Sequence, residues 1–125
     1  MLAVLEAQNM INSANIAGID NVYTFNIPSE MVENVDKTIV LISDANTNPS
    51  IYGNNDFNAL SRTIEIQIFY KKDLDIDPEK IEVQLYKLFT NDYWNVGENR
   101  GHTIDPDTQQ ITTTFYVNNL KLLNN

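Results

Sequence analysis

With 125 residues, 42% of them hydrophobic and 20% charged, the chain has the composition of a single folded domain, not of a disordered or fibrous protein. Its net charge of −9 and pI near 4.3 argue against a surface that grips nucleic acid or anionic lipid by displacing counterions. No cysteine is present, which removes disulfides, thiolate zinc sites and a thiol nucleophile, and no apolar run reaches the roughly 20 residues that span a bilayer.

In chain order, the first expected element is a helix over residues 2–17, where Leu2, Val4, Leu5, Ala7, Ile11 and Ala14 recur at near-helical spacing and Gly18 offers a stop. Its opening Met-Leu-Ala-Val-Leu lacks the basic flank and long apolar centre of a secretion signal. Residues 19–27 are rich in β-branched and aromatic side chains and read as a strand closed by Pro28. Residues 28–37 read as a turn, or a short helical turn capped by Ser29. Thr38-Ile-Val-Leu-Ile42 is a short apolar run, expected to be a central strand buried on both faces.

Residues 43–60 are dominated by Asn, Asp, Pro and Gly, and the expectation is a long loop. Ile51, Tyr52, Phe57 and Leu60 sit inside it. Large apolar residues in such a loop suit ordering against a partner.

The stretch 63–89 is the strongest structural signal. Ile64, Ile66, Ile68 and Tyr70 alternate with Glu65, Gln67, Phe69 and Lys71, the period of a strand with one buried face. Ile81, Leu85, Leu88 and Phe89 then follow helical spacing, with Asp77 as the cap and Pro78 at the first helical position. Beyond it, Tyr93 and the sole tryptophan, Trp94, precede a polar turn around Gly97. A C-terminal hairpin is expected, with one strand beginning at His102, a turn at Asp105-Pro106-Asp107-Thr108 and a second strand over residues 111–117.

Catalytic and ligand motifs find little support. His102 is the only histidine and nothing marks a nucleophile beside it, so a structural or surface role is favoured. Asp73, Asp75 and Asp77 open like a calcium loop, but Pro78 replaces the turn glycine and Gln84 stands where the bidentate Glu belongs. No cofactor or metal ligand set is assigned. Seventeen acidic residues make accidental carboxylate pairs inevitable, so a carboxylate-based hydrolase has only weak support. Tyr52, Phe57, Tyr93 and Trp94 lack the basic groove that single-strand nucleic-acid binding needs beside its aromatics.

The segments Lys37-Thr-Ile-Val-Leu-Ile42, Tyr52-Gly-Asn-Asn-Asp-Phe-Asn58, Ile66-Gln-Ile-Phe-Tyr70, Leu88-Phe89 and Asp105-Pro-Asp-Thr108 occur in an order that resembles the small tail-terminator, or head–tail joining, proteins of siphophages infecting Gram-positive bacteria. The resemblance implies a single-domain α/β (α+β) fold over residues 1–125: a small mixed or mainly antiparallel sheet flanked by an N-terminal and a central helix. It also implies a non-enzymatic virion protein, a homo-oligomeric ring, usually a hexamer. Such a ring caps the tail tube protein and docks on the head connector or stopper protein, while DNA crosses its channel without specific binding. Another phage morphogenesis role, as a head-completion protein or tail-assembly chaperone, is the alternative. For the inter-subunit or ring–ring interface the candidates are Ile51, Tyr52, Phe57, Tyr93 and Trp94.

Overall fold

The computed structural model describes residues 1–32 and 34–123. The chain forms α1 (Ala3–Ala14), β1 (Asn21–Thr24), a short 3-10 turn (Ser29–Met31), β2 (Ile39–Gly53), β3 (Asp56–Phe69), α2 (Pro78–Asn91), β4 (Asn95–Ile104) and β5 (Ile111–Leu122). The five strands make one mixed sheet in the order β1-β2-β3-β5-β4. Only the β1–β2 pair is parallel; β2–β3, β3–β5 and β5–β4 are antiparallel. This is the α+β fold that the sequence led us to expect.

Both helices cover one face of the sheet. Val40 and Ile42 of β2, Ile64, Ile66 and Ile68 of β3, and Phe115 and Val117 of β5 meet Val4, Ala7 and Ile11 of α1 and Ile81, Leu85 and Phe89 of α2 in a single core. The strand–helix unit at 63–89 forms as its periodicity demands: Ile64, Ile66, Ile68, Ile81, Leu85 and Phe89 are fully buried. The Asp77 side chain accepts from the Glu79 amide at 3.0 Å, so the acidic turn caps α2 as expected.

Several boundaries differ from the sequence reading. Helix α1 stops at Asn15, which adopts the left-handed conformation (φ 49°), before reaching Gly18. Gly18 instead supplies a turn at φ +99°, where an added Cβ would lie 2.8 Å from the Ile81 side chain. Ser29 begins the 3-10 turn without capping it. Strand β2 is interior, but Leu41 is only half-buried: on the face opposite the helices, Ile27, Met31 and Val32 gather around Ile39 and Phe69, and Leu41 is not among the residues that line this pocket. The expected turn around Gly97 is strand: β4 runs through it, with its pairing to β5 interrupted on both sides of Asn99.

The largest correction concerns residues 43–60, which are a β-hairpin and not a loop. Asn54 and Asn55 both take positive φ (51° and 62°), the requirement of the tight turn that matches strand twist, and asparagine tolerates it. Pro49 fits because β1 covers β2 only over Ile39–Ile42, leaving an open outer edge where a missing N–H is harmless. Composition alone reads such a hairpin as loop.

Candidate interaction surface

The hairpin outruns the rest of the sheet. Among the described residues, β5 pairs with β3 as far as Ala59–Leu122, with the Leu123 amide still donating to the Asn58 carbonyl at 2.9 Å, and β4 pairs with β5 no further than Asn118. The β2–β3 pair continues to Gly53–Asp56, so its tip is a two-stranded arm. A register shift between Asp44 and Asn46 marks its base, a bulge of the kind that re-aims a strand.

At the tip, Ile51 is 48% and Tyr52 71% exposed, while Phe57, cross-strand from Tyr52, is half-buried. Ile51 adopts φ 54°, a conformation that a β-branched side chain rarely takes. Its carbonyl accepts from the Asn58 side chain at 3.0 Å, which helps to hold the kink. Strand register puts Leu120 and Leu122 on the same sheet face as Ala59 and Phe57, away from the helices, and both leucines are exposed. Both lie beyond the strand expected over residues 111–117. Alternation continued through Leu120 and Leu122 was the available signal.

Tyr93 lies at the same end of the sheet, since Asn95 pairs with Asn118. The Tyr93 amide donates to Thr90 and the Trp94 amide to Phe89, the paired bonds that close a helix through a left-handed residue. That residue is Tyr93 (φ 65°), 90% exposed, at a position where glycine is the ordinary choice. Strained backbone under an exposed aromatic gives the chain itself no packing return, and such positions cluster at functional sites.

Trp94 does not join this surface. It is 3% exposed, packed edge-to-face on Phe89 at 5.7 Å and covered by the Arg62 guanidinium 5.4 Å from its ring. Arg62 is itself buried; it pairs with Glu6 and donates to the Asn119 side chain (3.1 Å) and the Met1 carbonyl (3.4 Å). The tryptophan is therefore part of the anchor that ties α1, β3 and β5 together at the base of the arm. Neither Arg62 nor Glu6 stands out in the sequence, because an ion pair between residues 56 positions apart leaves no local pattern.

His102 also has a structural explanation. Its Nε2 lies 2.8 Å from a carboxylate oxygen of buried Glu82, and the Tyr70 hydroxyl donates to the same oxygen at 2.5 Å. The Asn99 amide donates to the Tyr86 hydroxyl at 2.7 Å and to Glu82 at 3.4 Å, and Thr113 donates to Asn99 at 2.8 Å. This network fastens α2 to β4. Burial, reinforced by Glu82, raises the Tyr70 pKa well above its ordinary value. Burial likewise raises Tyr86, partly offset by the Asn99 bond. On the open face of the sheet, Tyr116 is raised by its bond to Glu65.

Among the described residues, no group of three or more His, Cys, Asp or Glu side chains is disposed to hold a metal ion. Among the same residues, no helix is long and apolar enough to cross a membrane.

The family model described as "Protein of unknown function (DUF806)" matches residues 2–121. The chain belongs to this family. No curated protein matches the DUF806 chain in sequence. Among solved structures it is similar to a chain of the cryo-EM structure of an extracellular contractile injection system, "PVC sheath/tube terminator in extended state". The identity is 10% and the TM-score 0.41, and the match covers 100% of the DUF806 chain and 58% of the other.

Proposed function

We propose that this protein is a structural subunit of a phage-type tail that caps the completed tube as a ring and joins it to the head connector. The observation that carries the reading is the arm: Ile51 and Tyr52 lie beyond the last β3–β5 pair and are left exposed by the described residues. A few apolar and aromatic anchors on a rigid support are what a subunit needs to bind its neighbours. The helix-backed sheet provides that support. The sequence resemblance to tail terminators points the same way, and a net charge of −9 suits a passage that DNA traverses without sticking.

Deletion of the gene tests this role. Filled heads beside unattached, overlong or irregular tails are expected, and normal virions would overturn the proposal. Negative-stain imaging and light scattering of the purified protein, alone and mixed with tail tubes, should show rings or ring-capped tubes.

A further inference from the structure

We infer that successive copies of this chain meet front to back, with the open face of one copy's arm seated on the outer face of the next copy's α1. The inference rests on the ring reading and names the two surfaces which that reading leaves open.

Charge selects the surfaces. Residues 45–61, the hairpin from its bulge through the two-stranded tip, carry a single charged side chain, Asp56. Residues 1–19 also carry one, Glu6, and Arg62 neutralises it. The whole chain has 8 basic and 17 acidic side chains, so these two stretches are depleted several-fold. Copies with a net charge of −9 repel each other, and contact is least unfavourable where both surfaces lack carboxylates. Of the other exposed apolar side chains, Val83 has Lys80 and Lys87 one turn away on α2, and Ile104 and Ile111 flank the turn of Asp105 and Asp107, while Phe25 is exposed alone on the short strand β1 side and forms no patch with Leu120 and Leu122.

Geometry selects the direction. Tyr52 (71% exposed), Leu120 (49%) and Leu122 (66%) belong to the sheet face away from the helices, whereas Leu2 (54%) and Leu5 (37%) lie at the N-cap and first turn of the helix that covers the opposite face. Lying on opposite sides of one sheet, the two patches cannot cover each other within a chain. Stacked copies bring them together and leave one of each patch free at the ends of any open series. Closure into a ring satisfies both, as a heterologous contact requires. A symmetric arm-to-arm contact would stop at two copies.

The cysteine-free sequence makes cross-linking free of background. Tyr52→Cys protein is mixed with Leu5→Cys protein, oxidised mildly and run on a non-reducing gel, with each variant oxidised alone for comparison. A cross-linked pair is expected in the mixture at ten or more times the yield of either variant alone. Equal cross-linking of Tyr52→Cys alone would mean that arms meet arms, and overturns the inference. Oligomers by light scattering with no cross-link in the mixture overturn this pairing and leave the ring reading standing. A protein monomeric both alone and with tail tubes overturns both. Tyr52→Glu provides a second reading: it should melt like the wild type while self-association weakens at least tenfold, and unchanged association would count against the inference.

Discussion

Replacing Trp94 with alanine tests whether the tryptophan anchors the core or serves an interface. An aromatic of this size buries on the order of 200 Å², which at about 25 cal/mol per Å² sets an upper transfer term near 5 kcal/mol. Alanine retains part of that area, and the mutation also removes the edge-to-face contact with Phe89 and the stacking of Arg62. Large-to-small aromatic substitutions in cores cost about 3–5 kcal/mol, so about 4 kcal/mol is the expected loss. With a urea dependence of about 2 kcal/mol per molar, the unfolding midpoint falls by about 2 M. Far-UV circular dichroism is the appropriate probe, because the mutation deletes the only tryptophan. The neighbouring Tyr93→Ala, at a 90% exposed position, should stay within about 0.5 kcal/mol of wild type. A Trp94→Ala loss below about 1 kcal/mol would refute the core placement.

Further outcomes follow from the same contacts. Arg62→Ala strands the partly exposed Glu6 and uncovers Trp94, so a loss of about 3 kcal/mol, seen as a melting point lower by about 10 °C in calorimetry, is expected. Tyr70 stays protonated in the native state yet ionises near pH 10 once unfolded, so its contribution is complete below that pH and is lost as pH rises past it. Urea titrations above about pH 10 should show stability falling by up to about 1.4 kcal/mol per pH unit, and Tyr70→Phe should flatten that slope. Ile51→Gly and Tyr93→Gly each relieve a left-handed backbone and should raise stability by about 1 kcal/mol. If the strain serves binding, the same two variants will assemble less well than wild type.

The reliable parts of the sequence reading were those in which one short stretch contained the whole physical argument. The alternation at 64–70 and the Asp77–Pro78 start of α2 needed no distant partner, and both formed as expected. The arm failed that condition. Its Asn-rich composition is that of a loop, and it becomes strand because β3 runs on from a buried strand and offers β2 a continuous ladder. Trp94 failed it too. Beside exposed Tyr93 it looked like an interface pair, but Phe89 from the preceding helix and Arg62 from 32 positions earlier enclose it.

For this protein, then, local pattern determined the strand–helix unit, the acidic character and the absence of thiol chemistry, since periodicity, charge and capping are written in neighbouring residues. Tertiary structure alone decided that residues 45–61 form a hairpin whose tip extends beyond β5 and that Leu120 and Leu122 continue its open face. It also decided that Glu82 and Arg62 are buried against partly exposed partners, His102 and Glu6. Each of these depends on which distant segment supplies the other half of a ladder, a face or an ion pair, and that choice is made by the packing of the whole chain.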